Sequence, residues 1–233
     1  MNFLAFDTST ETLSVALDCG GRVTAHTGAG GAQASAALIP AVRALLDAAG
    51  LRLAELDAIA FGRGPGSFTG LRTACAVAQG LGMGANVPLL PLDTLLALAE
   101  DARAEAGVTQ VVALLDARMG EVYWGAYAFD GTAWQCAQPP QLAQPEQVQV
   151  PAGWHMAGNA IALYKDRLPA AAGAVPAQPR AEALLRLAPA ELAAGRGRAA
   201  ADALPLYIRD KVAQTTDERA ALRRQQAAAG SGR

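Results

Sequence analysis

Apolar residues along this chain follow two different periods, and each change of period marks an element. Residues 3–6 form an apolar run that ends at Asp7-Thr8-Ser9-Thr10, and the alternating Leu13, Val15 and Leu17 lead to a turn at Asp18-Cys19-Gly20-Gly21. This predicts a strand, a polar turn and a hairpin. Helical spacing takes over in residues 33–49, closed by Gly50 as a left-handed terminator. Residues 56–61 read as a buried strand, and a glycine-rich loop at 62–70 leads into a second helix that reaches residue 84. A strand at 87–92 and a helix at 94–106, ended by Gly107, complete a mixed α/β unit with helices between strands.

The opening pattern then recurs. Residues 111–115 run apolar into Asp116, a turn holds Gly120, and residues 123–129 return as a strand into Asp130-Gly131. A strand ending in Asp, then a turn and a returning strand, once in each half, points to a duplicated unit. Residues 135–203 are rich in Ala, Pro and Gln, and a helix at 181–194 is the one element the pattern supports there. Residues 217–233, charged and rich in Ala, Gln and Gly, read as a frayed or disordered tail.

Two helices carry more apolar surface than one sheet needs. Projecting residues 33–49 at about 100° per residue places Leu38, Val42, Leu45 and Ala49 on one stripe, flanked by Ile39 and Leu46, which is expected to face a sheet. Ala34, Ala37, Ala41, Ala44 and Ala48 form a second stripe of small residues, suited to close contact with another helix. The helix at 69–84 has Arg72 as its only charge and Gln79 as its main other polar side chain, with Cys75 and Ala76 between them. A helix that is apolar nearly all round is buried by its own domain or by another chain. Mutual cover of the two helices and burial by a partner therefore both remain open.

Composition narrows the function classes. The 233 residues are 52% hydrophobic and 17% charged, with a formal net charge of −2, so no overall basic character announces nucleic acid. Cys19, Cys75 and Cys136 are scattered and lack C-x-x-C spacing, which argues against a disulfide framework and a thiolate metal site and for a reducing cytoplasm. Residues 73–92 carry no charge, but Gly80, Gly82, Gly84, Asn86 and Pro88 interrupt them, so no membrane span is expected. The N-terminus lacks a basic start and a long apolar stretch and reads as a strand, not a signal peptide. His26 and His155, the only histidines, are expected to be structural, and no metal site or catalytic triad follows from their spacing.

The strongest local feature is Gly62-Arg63-Gly64-Pro65-Gly66-Ser67-Phe68-Thr69-Gly70-Leu71-Arg72, between a buried strand and a helix. Its glycines allow close backbone approach, Ser67 or Thr69 can cap the helix, and such a start is a potential anion site. The lysine of a Walker A loop is absent. A tight strand-to-helix turn explains the glycines equally well. Asp7-Thr8 at a strand end, with Gly64, Gly66 and Ser67, could mark a former nucleotide site, although ordinary turn capping accounts for Asp and Ser there.

These residues also carry a resemblance. Leu4-Ala5-Phe6-Asp7-Thr8-Ser9-Thr10, the glycine loop, Asp116-Ala117-Arg118-Met119-Gly120-Glu121-Val122-Tyr123 and Pro205-Leu206-Tyr207-Ile208-Arg209 resemble the TsaB (YeaZ) family in the same order. The resemblance implies an actin-like ATPase (ASKHA) α/β fold of two lobes, each with a mixed sheet and helices, the second lobe reduced. It implies a first lobe at 1–107 carrying the partner-binding helices, a second at 108–216 and a tail at 217–233. TsaD-like paralogues carry a metal-binding histidine pair just after the strand at 87–92, and the matching positions here are Thr94 and Leu98.

The resemblance thus implies a non-catalytic cytoplasmic subunit that pairs with TsaD through its first-lobe helices, with Ala34, Ala37, Leu38, Ala41, Val42, Ala44, Leu45, Ala48, Arg72, Cys75, Ala76 and Gln79 as the expected interface residues, and recruits the ATPase TsaE. It would support transfer of threonylcarbamoyl to a tRNA adenosine next to the anticodon. No cofactor is expected on this chain, ATP and metal belonging to the partner subunits, and tRNA is expected to be met indirectly. Self-pairing in the absence of TsaD is left open. Many family members open the first helix with a His-Ser pair where this chain has Ala34-Ser35. The competing reading is an actin-like phosphotransferase or hydrolase built on Asp7 and the glycine loop. A third, direct tRNA binding, would need Arg63, Arg72 and Arg118 to cluster.

Overall fold

The computed structural model describes residues 1–209 and consists of two five-stranded sheets with helices on and between them. The chain runs β1 (Asn2–Asp7), β2 (Thr12–Cys19), β3 (Arg22–Ala29), α1 (Ala34–Ala49), β4 (Ala58–Gly64), α2 (Phe68–Ala85), β5 (Leu89–Asp93) and α3 (Thr94–Ala106). It continues as β6 (Gln110–Arg118), β7 (Glu121–Phe129), β8 (Trp134–Ala143), β9 (His155–Ala157), α4 (Ala160–Tyr164), β10 (Gly173–Val175) and α5 (Ala181–Ala193). Gly50 and Gly107 end α1 and α3 in the left-handed conformation, as the pattern of glycines predicts.

The first sheet has the order β3-β2-β1-β4-β5 and the second β8-β7-β6-β9-β10. In both, the first hairpin is antiparallel and the later strands join in parallel, so the two halves share one topology. The duplicated unit expected from the two strand–Asp–turn patterns is present, and this is the actin-like α/β architecture. The second lobe is reduced: β9 and β10 have 3 residues each and α4 has 5, against 18 in α2.

Strand alternation explains the layers. On β1, β2 and β4 the large residues Leu4, Phe6, Leu13, Val15, Leu17, Ile59 and Phe61 pack under α1 and α2. The opposite face of the same strands shows Ala5, Ala16, Ala58 and Ala60, which let α5 lie close through Ala181, Leu184, Leu185 and Ala188. On β6, Val111, Ala113 and Leu115 meet α3, while Val112 and Leu114 face α4. β1, β4 and β6 are buried on both faces, which is why they read as continuous apolar runs.

Residue 107 separates the two sheets but not two independent cores. α5, from the second half of the sequence, covers the first sheet, and α3, from the first half, packs on β6. The two helices also touch each other, between the sheets. The strands β8 to β10 and helix α4 are not legible in the sequence, since they are short or carry polar, Pro-broken sequence. The tail at 217–233 lies outside the described residues, as does the end of the 108–216 segment. Among the described residues no helix is long and apolar enough to cross a membrane; Gly80, Gly82 and Gly84, expected to break the uncharged run, lie inside α2.

Candidate functional site

The Asp7 turn and the glycine loop form a closed joint. Asp7 ends β1 and is buried, its Oδ1 accepting from the Ser9 backbone N–H at 2.8 Å and the Ser9 hydroxyl at 2.5 Å. The Thr94 hydroxyl lies 3.4 Å from Oδ2 and accepts from the Gly64 N–H at 3.2 Å. Burial pushes the Asp7 carboxyl from 3.8 up to about 6, with the hydrogen bonds from Ser9 and Thr94 offsetting part of the effect.

The glycines are needed for close approach. A β-carbon on Gly62 would sit 1.7 Å from Asp7 Oδ2, and one on Gly70 would sit 1.8 Å from the Thr8 carbonyl oxygen. The Ser67 N–H donates to Ser9 O at 2.7 Å and the Thr8 hydroxyl to Gly70 O at 2.7 Å, so turn and loop are fastened by one backbone bond and one side-chain-to-backbone bond. Ser67 caps α2 through its contact with the Gly70 N–H, 3.5 Å away. The candidate relic residues Asp7, Thr8, Gly64, Gly66 and Ser67 act here as a packing joint: the Ser67 N–H, which an anion cradle would aim at a phosphate, is committed to the Ser9 carbonyl.

A cavity of about 280 Å³ opens beside this joint, between the lobes. It brings together all four motifs singled out in the sequence. Asp116, near the end of β6, repeats the geometry of Asp7: the Arg118 N–H donates to its Oδ1 at 2.9 Å, two residues on. Tyr164 donates to the same oxygen at 2.8 Å, and the Asp116 N–H donates to Asn159 Oδ1 at 3.0 Å. Arg118 and Met119 then take positive φ, 64° and 57°, unusual for side chains of their size. That turn aims Arg118 across the cleft to Glu11, 2.6 Å away on the first lobe.

Residues 203–209 tie the lobes together. Cys75 and Gln79 of α2 donate to the Ala203 carbonyl at 3.1 and 3.0 Å, and the Leu206 N–H donates to Arg63 O at 2.7 Å. At the far end Arg209 pairs with Glu121 at 2.7 Å and donates to Ala117 O at 3.0 Å. The 116–123 and 205–209 motifs thus share one role, fixing the second hairpin against the glycine loop. Neither His26, on β3, nor His155, on β9, lines the cavity. Among the described residues no group of three or more His, Cys, Asp or Glu is arranged to hold a metal. Arg63, Arg72 and Arg118 do not form one basic patch: Arg63 pairs with Asp93, Arg118 with Glu11 and Asp116.

The helix faces differ from the projected stripes in part. α1 and α2 lie side by side on the first sheet, so the alanine stripe of α1 divides. Ala34 and Ala41 are buried in the chain's own core, Ala37 is half-buried, and Ala44 and Ala48 are exposed. Leu38 and Val42 face the sheet, and Leu46 takes the buried place expected for Leu45, which is half-buried, while Ala49 is exposed. Ala34, Leu38, Ala41, Val42 and Cys75 are therefore corrected as interface residues, because the lobe itself covers their side chains. Gln79 is half-buried and engaged with Ala203.

What remains outside on α2 is a nearly uncharged arc of Phe68, Arg72, Ala76, Gly80 and Met83, beside which α1 exposes Ile39, Ala44 and Ala48 together with the charged Arg43 and Asp47. Ile39 is 46% and Met83 73% exposed. A β-carbon placed on Gly80 or Gly84 would meet nothing within 4 Å, so the chain's own packing gives no reason for glycine there. Sequence reasoning passed over Phe68, Gly80 and Met83; glycine inside an uninterrupted helix was the signal that could have found them.

The family model described as TsaD, tRNA N6-adenosine threonylcarbamoyltransferase, matches residues 26–216. The tRNA threonylcarbamoyladenosine biosynthesis protein TsaB of Escherichia coli (strain K12) is 36% identical over 224 residues, covering 91% of this chain and 96% of that protein. The chain belongs to the TsaB (YeaZ) family. The TsaB of Haemophilus influenzae is 33% identical over 239 residues, with 91% and 95% covered. Among solved structures, YeaZ from Pseudomonas aeruginosa superposes with a TM-score of 0.84 at 43% identity, covering 88% of this chain and 99% of that one.

Within this TsaB-family chain, the two positions expected to correspond to the histidine pair of TsaD-like proteins are closed. Thr94 is wholly buried, with its hydroxyl between Asp7 and the Gly64 N–H. Leu98 is wholly buried in the core between α3 and the second sheet. Ala34, where many family members have histidine, is covered as well, and only Ser35 beside it reaches the surface.

Proposed function

We propose that this chain is a non-catalytic subunit of the machinery that forms N6-threonylcarbamoyladenosine in tRNA. In this reading it binds a TsaD-type catalytic subunit through the exposed faces of α1 and α2. The ATPase TsaE joins the assembly, and ATP and metal are held by those partners. The work is done in the cytoplasm, and tRNA is met through the complex.

One observation supports this reading most. The outer arc of α2 presents Phe68, Thr69, Arg72, Thr73, Ala76, Gly80, Met83 and Gly84, with one charge among them. Helix-interior glycine costs about 0.5–1 kcal/mol relative to alanine, and a close-packed helix from another chain gives Gly80 and Gly84 a purpose. Against the enzymatic alternative speaks the engagement of the Ser67 N–H and the Thr8 hydroxyl within the joint.

The test uses Ala44→Arg and Ala76→Arg, both at exposed positions that leave the core untouched. Each variant should unfold within a few degrees of the parent yet fail to co-elute with the TsaD of the same genome in size exclusion with light scattering. A bulky charge cannot enter a close helix contact without large cost. If both variants form the complex as the parent does, this docking face is wrong. Running the chain alone in the same experiment reports whether it pairs with itself.

A further inference from the structure

The glycine-loop and 205–209 motifs meet at a second feature that the joint and strap do not use. Arg72 is stacked on Phe68, its guanidinium carbon 3.8 Å from the ring centroid, and its Nε donates to the Tyr207 hydroxyl at 3.1 Å. The Phe68 and Tyr207 rings lie 5.5 Å apart, and both are open to solvent, 39% and 46% exposed. The three side chains form a rigid clamp at the start of α2.

We infer that this clamp is the charged anchor of the partner-binding face, and that it grips an aspartate or glutamate carboxylate of the partner subunit. Phe68 and Tyr207 hold the guanidinium through its face and its Nε, and among the described residues neither terminal nitrogen has a hydrogen-bond partner, which leaves both free to act as a fork. That fork matches a carboxylate bidentately. Among the described residues no carboxylate lies within salt-bridge distance of Arg72; Arg22, Arg43 and Arg198 also lack one, but Arg72 is the one of these four that is stacked on an aromatic ring and held through its Nε. A charge covered by a protein partner is tolerated only when that partner supplies its counter-charge. Part of the cost of ordering a long side chain is already met in the free chain, because the stack and the Tyr207 bond restrict Arg72. Exposed Tyr, Phe, Met and Arg grouped on one face, with Met83 further along the same helix arc, is the composition that concentrates binding energy at protein interfaces. An RNA occupant fits less well, since Arg118 and Arg209, the arginines that line the cleft, are paired with Glu11 and Glu121.

This inference rests on the proposed docking of α1 and α2 against the catalytic subunit, and the experiment separates the two. Binding of the purified TsaD of the same genome is followed by calorimetry at several salt concentrations, with the parent chain, Arg72→Gln, Arg72→Lys and Ala76→Arg. Arg72→Gln should bind at least about 30-fold more weakly, the effect of removing one partner from a covered charge pair, and with a shallower salt dependence. Arg72→Lys should recover little, because an ammonium cannot form the fork or the stack. Unchanged thermal unfolding of the Arg72 variants shows that the loss lies in binding rather than in the fold. If Ala76→Arg abolishes binding while Arg72→Gln binds like the parent with the same salt slope, the clamp inference falls and the docking face stands. If Ala76→Arg binds normally, the docking face itself is wrong. A gel shift of bare tRNA by this chain alone, lost in Arg72→Gln, or a change confined to self-association, would also overturn the clamp as a partner-carboxylate site.

Discussion

Replacing Asp7 by Asn should stabilise this protein, and the size of the gain follows from the joint around it. The asparagine keeps an oxygen for the Ser9 N–H and hydroxyl, at 2.8 and 2.5 Å in the parent, and removes the charge. Burial raises the carboxyl from 3.8 to about 6. At 1.36 kcal/mol per unit, holding the ionised form in the fold costs on the order of 3 kcal/mol at neutral pH. The new amide must donate to Thr94 Oγ1, which already accepts from the Gly64 N–H, so a net gain of about 1–3 kcal/mol is expected. For a chain of this length that corresponds to roughly 2–4 °C of Tm per kcal/mol.

The sign can be checked against pH. A folded carboxyl with a raised pKa binds protons more tightly than the unfolded one. The stability linked to Asp7 is therefore full below 3.8, declines as pH rises through about 6, and is flat above that. Calorimetric unfolding of parent and Asp7→Asn at matched pH values from 4 to 8 isolates this group, since other titrations cancel in the difference. The advantage of the variant should grow between pH 4 and 6 and then level off. A variant that is less stable at neutral pH, or a difference that does not change with pH, would refute the account of Asp7 as a buried carboxylate whose hydrogen bonds only partly offset its burial.

Two further outcomes follow from the same packing. Gly70→Ala places a β-carbon 1.8 Å from the Thr8 carbonyl oxygen; backbone cannot move aside as a side chain can, so a loss of at least about 3 kcal/mol is expected in urea titration, and a loss under about 1 kcal/mol would mean the loop is not fastened as described. Glu100, 2% exposed, holds Arg103 at 2.8 Å, Arg186 at 2.7 Å and the Trp134 indole at 2.9 Å between the two sheets; Glu100→Ala should lower stability by about 3 kcal/mol, near the low end for breaking a buried pair because the arginines remain partly solvated, and an unchanged urea midpoint would show that the network contributes nothing net.

Much of the first lobe was legible because its signals are local. The run into Asp7, the alternation of Leu13, Val15 and Leu17, and the glycines that end α1 and α3 act within a few residues, and the structure places those elements where the pattern does. The duplicated architecture was also readable, because Asp116 repeats the turn chemistry of Asp7 in sequence as it does in space. The second lobe was mostly not. β9 and β10 are held by parallel pairing with β6 and with each other, a long-range arrangement that leaves no period in three-residue strands.

For the candidate site the division is sharper. Residue order alone identified the motifs and the family, and it placed two unusually apolar helices in the first lobe. It could not tell which alanines of α1 meet solvent, because that depends on where α2 lies beside it: Ala41 is covered and Ala44 is not, three residues apart. Nor could it show that the glycine loop closes on Thr8 and Ser9, or that Tyr207 crosses 135 positions to meet Arg72. Local propensity and spacing act along the chain and belong to the sequence. Steric approach, burial and the pairing of distant side chains exist only once the two sheets are stacked, and those decided what the glycines, Asp7 and Arg72 do.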